Sequence, residues 1–228
     1  RLATNITNGI IHAFKEYDAS EIIMGLHEKK TDGDKFWGIF TPDLVNQLNR
    51  QIILCRCNRP LNTLRRILVA VPSRVEFEQG FYRWIERLAR LAENLSCRII
   101  FHGRIESTSL INEYIRNQHP GVRAEYVLME HWKEFTQLAQ QMSSDHMLVV
   151  ISARQGTVSY KPVFERLPLE LYRHYHEHNL MVVFPDQNGQ SPEDMTFTAP
   201  QHHSVDSAYS SIVNWVMNKI DKGRSDAS

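Results

Sequence analysis

The sequence has few cysteines and no net charge, and both features narrow the class of protein. Its 228 residues include three cysteines, Cys55, Cys57 and Cys97. A count this small and odd excludes a disulfide framework and indicates a reducing compartment. The 26 basic residues equal the 26 acidic residues, so no overall field attracts nucleic acid or an anionic membrane. We therefore expect no nucleic-acid partner.

Long apolar runs are also missing. No segment reaches the roughly 18 consecutive apolar residues that a membrane span requires, and the N-terminal residues do not have the pattern of a signal peptide. The apolar content of 42% is ordinary for a folded domain and excludes wholesale disorder. The sequence therefore predicts a soluble, folded chain.

Familiar catalytic motifs are absent as well. The chain contains no nucleophile elbow, HExxH, Walker loop or Rossmann glycine fingerprint. His174 and His178 have a spacing that can bind a metal on one helix face, but no carboxylate or cysteine obviously completes the set. Histidines are also favoured at helix C-termini, where the dipole is negative. We predict neither an enzyme nor a metal site, although a hydrolase acting through Ser152 or Ser73 stays an alternative.

The sequence does contain a regular alternation of strands and helices. Apolar segments such as "ILVAV", "HMLVVI" and "LMVVF" are separated by amphipathic stretches, of which Glu78–Leu95 has the clearest helical stripe. Alternation with short links predicts a parallel sheet covered by helices on both faces. The nearly continuous apolar strands fit burial on both sides.

The pattern predicts seven strands and seven helices. The strands are Ile22–Met24, Ile52–Cys55, Ile67–Val71, Arg98–His102, Ala124–Met129, Met147–Ile151 and Leu180–Phe184. The helices are Thr4–Tyr17, Pro42–Asn49, Glu78–Leu95, Ser109–Gln118, Trp132–Met142, Pro162–His176 and Ser207–Ile220. Cys55 and Cys57 would face one side of their strand as buried thiols. Phe36 and Trp37, in a polar loop, should pack internally rather than on a partner.

An internal repeat divides the chain. Helix, turn, strand, loop, helix and strand occur over residues 4–57 and again over 131–185, with corresponding turns "DASEIIM" and "SSDHMLV". We interpret residues 1–58 as the C-terminal half of a first unit and residues 63–186 as a complete second unit. Residues 187–228 then form a linker and a C-terminal helix. The first residue is not methionine, and we expect a fragment that begins inside a repeat.

The complete unit, "RRILVAVPS" through "NLMVVFPD", resembles a universal stress protein domain, and the partial unit resembles the second half of another. The resemblance implies a three-layer α/β/α fold of the adenine nucleotide alpha hydrolase-like type, with a parallel sheet in the order 3-2-1-4-5. It also implies dimerisation through the last strands. In this chain the strand at Ile52–Cys55 could then pair with Leu180–Phe184 internally.

Nucleotide-binding members of that family carry a loop after the fourth strand: Gly, two residues, Gly, nine residues, Gly, then Ser or Thr. Here Gly25 matches the first glycine, Glu28 replaces the second, Gly38 matches the third, and Ile39 replaces the hydroxyl residue. In the complete unit the loop is "ISARQGTVSYKP", where only Gly156 remains. Glu28 would repel a phosphate that backbone N–H groups should attract. We therefore favour a relic loop over a working one.

The resemblance still implies a set of candidate ligand-binding positions and ligands. Pro72 and Ser73 stand where the family has an Asp near the adenine and ribose. The candidate positions are Gly25, Lys29, Gly38, Ser73, Ser152 and Gly156. The candidate ligands are ATP, AMP and a cyclic dinucleotide.

A tandem pair with one degenerate unit is similar to the cytoplasmic C-terminal region of bacterial monovalent cation:proton (Na+/H+) antiporters. That resemblance implies a non-catalytic regulatory domain at the cytoplasmic face of the inner membrane. Its partners would be an upstream membrane transport domain of the same protein and a second copy in a homodimer. The alternative is a freestanding nucleotide-binding universal stress protein.

Overall fold

A computed structural model of the protein describes residues 6–26, 36–38 and 41–187. The helices are α1 (Ile6–Tyr17), α2 (Thr41–Gln47), α3 (Phe81–Asn94), α4 (Ile105–Gln118) and α5 (Leu167–Tyr175). Four 3₁₀ helices cover Leu61–Thr63, Val75–Phe77, Trp132–Gln141 and Pro162–Arg166. The strands are β1 (Glu21–Gly25), β2 (Gln51–Arg56), β3 (Arg66–Ala70), β4 (Arg98–Gly103), β5 (Ala124–Leu128), β6 (His146–Ile151) and β7 (Asn179–Phe184). The predicted helix Ser207–Ile220 lies outside the described residues, as do Glu28, Lys29 and Ile39.

The seven strands form one sheet in the order β1-β2-β7-β6-β3-β4-β5. The five strands of the complete unit, β3 to β7, follow the predicted order 3-2-1-4-5. The prediction of a wholly parallel five-stranded sheet needs a correction, because β1 and β2 extend it and β2 pairs with β7 in antiparallel fashion. The link of residues 57–65 explains this direction. A parallel arrangement of β2 and β3 would need a longer crossover connection, so this short link joins them only when the two strands run in opposite directions.

The pairing of β2 with β7 confirms the contact expected inside one chain. Its register runs from Ile52 opposite Phe184 to Arg56 opposite Leu180. Asn179, which is fully buried, fixes the link that follows β2. Its side-chain oxygen accepts a hydrogen bond from the Arg59 backbone N–H at 2.8 Å, and its amide nitrogen donates to the Arg59 carbonyl at 3.1 Å. The buried amide is thereby satisfied, as a buried polar group requires.

Two apolar clusters cover the two faces of the sheet and make it the middle of three layers. Alternate residues of each central strand point to opposite faces, so Ile67 and Val69 enter one cluster while Leu68 and Ala70 enter the other. Both sets are buried, which explains why the strand sequences are apolar without alternation. The first cluster is covered by α3 and α4 and the second by α2, α5 and the Trp132–Gln141 helix.

Two predicted helices differ from their expected form. The segment Trp132–Gln141 is a 3₁₀ helix. Its inward residues Trp132, Phe135 and Leu138 recur every three positions, which matches three residues per turn better than 3.6. The segment from Pro162 divides into a 3₁₀ helix and α5, and Pro168 lies in the first turn of α5, where its missing N–H does no harm.

The aromatic pair and the cysteines test two further predictions. Phe36 and Trp37 pack against the second cluster, and the Trp37 ring lies 5.9 Å from that of Phe184, so internal packing is confirmed. The prediction of two buried thiols is wrong, because Cys55 is half-buried and Cys57, which follows the end of β2 at Arg56, is exposed. None of the helices in the described ranges combines the length and apolar character needed to cross a membrane.

Candidate functional site

All five parallel strands of the complete unit, β3 to β7, end on one side of the sheet, which we call the carboxyl edge. The strands β3 and β6 are neighbours in the sheet. The connection that leaves β3 runs to β4 on one side, and the connection that leaves β6 runs to β7 on the other. Ligands of open α/β sheets bind at such a switch point, outside the carboxyl ends of the strands. This edge is therefore where the candidate site should lie.

Arg154 fills part of the carboxyl edge next to β7. Its side chain is 6% exposed. It donates hydrogen bonds to the carbonyl oxygens of Val45 at 3.1 Å, Leu48 at 3.1 Å and Arg50 at 2.6 Å, and also to that of Pro185. Burial lowers the pKa of Arg154 to about 10, although the negative charges of Asp186 and Glu78 oppose this. The guanidinium therefore stays protonated at neutral pH.

These contacts tie the partial unit to the complete one. Val45 lies in the last turn of α2, whose final carbonyls have no partner within the helix. A cation at a helix C-terminus is favoured by the dipole, and guanidinium offers five N–H donors in a fixed fork. Arg154 thus acts as a cap for α2 and for the turn that leads into β2.

Glu78 closes the next part of the edge. Its carboxylate is 5% exposed and accepts hydrogen bonds from the Ser159 backbone N–H at 2.9 Å and the Ser159 hydroxyl at 2.6 Å. The Gln187 amide donates to its other oxygen at 3.1 Å. The predicted start of α3 at Glu78 is therefore wrong, since α3 begins at Phe81 while Glu78 holds the loop after β6.

Asp186, which follows β7, is buried at the same part of the carboxyl edge as Glu78. The carboxylate is 2% exposed and lies 2.5 Å from Nη1 of Arg83. A methyl group at Gly80 would collide with the Asp186 carbonyl oxygen and lie 2.5 Å from its nitrogen, so only glycine permits this approach. Arg83 also donates to the Ser20 carbonyl at 3.2 Å, which adds a further link to the partial unit.

On the other side of Glu78 the carboxyl edge carries three cations, Arg74, Arg104 and Lys161, which we call the basic triad. Arg74 follows β3, Arg104 immediately precedes α4, and Lys161 ends the loop after β6. Arg74 and Arg104 are exposed, whereas Lys161 is half-buried. Burial and the nearby positive charges of Arg104 and Arg74 lower the pKa of Lys161. Lys161 therefore lies within electrostatic range of both arginines.

The predicted positions of the first loop are not gathered at one place. Gly25 ends β1 in register with Cys55 and is exposed, and a methyl group added to it would meet no atom within 4 Å. Gly38 has a φ of +78°, a conformation that favours glycine, and follows Trp37, which packs against Phe184. Because β2 runs opposite to β7, the strand end at Gly25 faces the edge opposite the carboxyl edge.

The predicted positions of the complete unit do reach the carboxyl edge. Ser73 is half-buried just beyond β3. Ser152 is buried, and its backbone N–H donates to the Val183 carbonyl at 2.8 Å. Gly156 has a φ of +90° and is exposed. The structure thus brings Ser73, Ser152 and Gly156 to one edge but does not unite them with Gly25.

Sequence reasoning missed Arg154, Glu78 and the basic triad. A charged residue in a loop is usually solvated, and the carbonyl partners of Arg154 in the partial unit are 104 to 109 residues away. One signal was available, because "ISAR" places an arginine three residues after Ile151, the end of the apolar segment Met147–Ile151. A cation so close to a buried strand end needs either solvent or several acceptors.

The histidines at the end of α5 do not share a helix face. The helix ends at Tyr175. His178 lies in the turn before β7, where its backbone N–H donates to the Tyr175 carbonyl. His174 instead lies 3.4 Å from Glu170 of its own helix. Within residues 6–26, 36–38 and 41–187, no three metal-ligating side chains lie together.

No protein-family model matches the chain, and no curated protein matches it. Among the solved structures that are similar to it, two each share 17% sequence identity over 81% of this chain. One is a functionally unknown protein from Pseudomonas aeruginosa PAO1, with a TM-score of 0.45 and 69% of its own length covered. The other, from P. aeruginosa UCBPP-PA14, is provisionally assigned as a universal stress protein, with a TM-score of 0.44 and 70% covered.

Proposed function

We propose that the chain is a non-catalytic regulatory module of a membrane cation:proton antiporter and acts through protein contacts and ligand binding. The observation that carries the proposal is the use of Arg154. It lies in the loop where the resemblance places a phosphate cradle, yet it binds backbone carbonyls of the partial unit. A loop occupied in this way serves to join two halves of a protein more readily than to present a nucleotide for turnover.

The side chains of the carboxyl edge support a non-catalytic role. The Ser152 side chain is buried, and Glu78 is already engaged by Ser159 and Gln187. A nucleophile needs an accessible oxygen beside a free general base. Among the described residues of this edge, the carboxylates best placed to act as bases are instead held in structural contacts.

The antiporter assignment rests on the resemblance of the tandem units. In the family that the chain resembles, the last strands pair between two subunits. Here β7 is already paired on both sides, with β6 and with β2. A homodimer of this chain would therefore use the outer strands, where Ile23 of β1 and Leu128 of β5 are exposed. Unpaired strand edges of this kind favour association.

Ligand binding would regulate an attached transporter only under one condition. ATP, AMP and a cyclic dinucleotide are the ligands that the resemblance suggests. A ligand shifts an equilibrium between two transporter states only by as much as its affinity for them differs. The carboxyl edge is suited to such coupling because Arg154 and Arg83 join it to the partial unit.

The test is fractionation of the source cells, followed by immunoblotting with an antibody raised against this chain. The proposal predicts a band much larger than the chain itself, in the membrane fraction and resistant to extraction with high salt. Detergent should release it. A band of the chain's own size in the soluble fraction would reject the antiporter assignment and favour the freestanding universal stress protein.

A further inference from the structure

The basic triad is an unbalanced concentration of positive charge. Arg74, Arg104 and Lys161 come from three separate connections, and among the described residues no carboxylate forms an ion pair with any of them. Two carboxylates that follow Arg74 in the chain have other partners. Glu76 accepts a hydrogen bond from the Ser107 hydroxyl at 2.6 Å, and Glu78 is buried against Ser159. Like charges held together destabilise a fold unless something of opposite charge joins them.

The backbone around the triad adds two features that suit an anion. Arg74 has a φ of +67°, a conformation in which a non-glycine residue is strained, and strain of this kind clusters at ligand sites. Arg104 is the N-cap residue of α4, a 14-residue helix, and no side chain caps the helix there. The first backbone N–H groups of α4 and its dipole therefore face the same edge as the three cations. Glu106 in the first turn of α4 is exposed and offsets part of this charge.

A nearby cavity has different chemistry. It measures about 290 Å³ and lies between α4 and β5, lined chiefly by apolar atoms that include those of Ile105, Val127 and Leu128. It holds no cation among its lining residues. Recognition of a charged oxyanion therefore belongs to the triad, while the cavity suits an uncharged group.

We propose that the basic triad binds a small oxyanion that carries at least two negative charges, such as the phosphates of a phosphorylated metabolite. Lys161 and the guanidinium groups of Arg74 and Arg104 contact the oxygens, and the N-terminus of α4 supplies backbone donors. This inference rests on the proposed function, because it names the ligand class of the regulatory carboxyl edge. The site is distinct from a glycine-loop cradle, since its charge comes from side chains of three connections.

The experiment is calorimetric titration of the whole chain with inorganic pyrophosphate and, separately, with ATP. Lys161→Met removes the half-buried cation, and Arg74→Asn removes a charge while keeping a residue that tolerates positive φ. Arg116→Met is the control, since Arg116 is exposed and lies in the last turn of α4, at the other end of this helix from Arg104. We expect each triad variant to weaken pyrophosphate binding by about tenfold, the loss typical of one charge-assisted hydrogen bond. The control should stay within about twofold of the parent chain.

Several outcomes would overturn the proposal. They are a parent chain that binds neither anion, triad variants that bind like the parent, and a control that weakens binding as much as they do. Lys161→Arg keeps the charge and should retain binding, which separates a lost contact from a damaged fold. Equal affinity for pyrophosphate and ATP would place recognition in the phosphates, whereas binding of ATP alone would contradict a site built on charge. Cell fractionation does not depend on these titrations, so failure of the antiporter assignment is distinguishable from failure of the anion site.

Discussion

The two loops that follow equivalent strands of the repeat have diverged in opposite ways. The loop after β1 keeps the spacing of Gly25 and Gly38, whereas the loop after β6 keeps only Gly156 and carries Arg154. The first loop retains the glycine spacing of a phosphate cradle with a carboxylate inside it. The second has lost that spacing and gained a buried cation with four backbone partners. A loop at the end of a sheet can thus hold either a ligand or another part of its own chain.

Each loop also reaches into the other unit. Trp37, in the first loop, packs its ring against Phe184 at the end of β7. Arg154, in the second, binds carbonyls at the end of α2 and in the turn after it. Both contacts lie at the end of the antiparallel junction of β2 and β7 where Ile52 pairs with Phe184. The exchange of contacts explains how half a unit can be stable on the side of a complete one.

The largest effect should come from removing the link that only the second loop has. Arg154→Met leaves four carbonyls without their donor in a buried place. We expect the free energy of unfolding to fall by about 3–5 kcal/mol, measured by urea denaturation. Arg154→Lys, which keeps the charge but not the fork, should lose less. A change of under about 1 kcal/mol in Arg154→Met, the size of a surface substitution, would mean that the link is incidental.

Two glycine substitutions compare the carboxyl edge, where Gly80 lies against Asp186, with the opposite edge of the sheet, where Gly25 ends β1. A methyl group at Gly80 would collide with the Asp186 backbone, whereas one at Gly25 meets nothing within 4 Å. Gly80→Ala should therefore destabilise the chain by about 2–3 kcal/mol through overpacking. Gly25→Ala should change stability by no more than about 0.5 kcal/mol. Equal effects in thermal unfolding would show that the carboxyl edge is less tightly closed than its contacts imply.

The smallest effect concerns the first loop as a relic cradle. Glu28 lies outside the described residues, so this prediction rests on the sequence spacing. Glu28→Gly removes a negative charge and restores the missing glycine. Relief of a repulsion of about 1 kcal/mol, the value for two charges about 4 Å apart in water, would raise anion affinity about fivefold. Titration of the Lys161→Met, Glu28→Gly double variant with ATP isolates this loop, and no gain in affinity would count against its being a cradle.

The sheet was predictable because short apolar segments and amphipathic helical segments alternate regularly along the sequence. Strands such as Ile67–Val71 are apolar at every position, and their alternation with helices leaves few topologies. The pairing of β2 with β7 was expected from the resemblance, which implies contact between the last strands of two units. The 3₁₀ form of Trp132–Gln141 was missed because an apolar spacing of three fits both helix types over so short a segment.

The site was less predictable because its contacts are made to backbone atoms. The carbonyls that bind Arg154 belong to Val45, Leu48, Arg50 and Pro185, and their side chains have no part in the interaction. No side-chain pattern in the sequence records them. The basic triad was missed for a related reason, since Arg74, Arg104 and Lys161 become neighbours only when three strand ends converge.

The most direct test of the central claim, that the partial and complete units form one cooperative sheet, is amide hydrogen exchange of β2 against β6. We predict that the amides of Ile52–Leu54 open with the same free energy as those of Leu148–Val150, to within about 1 kcal/mol, because both exchange through global unfolding. Exchange of the β2 amides through a separate opening several kcal/mol lower would contradict this claim. The partial unit would then be an appendage, and contacts across β2 and β7 would not carry a regulatory signal.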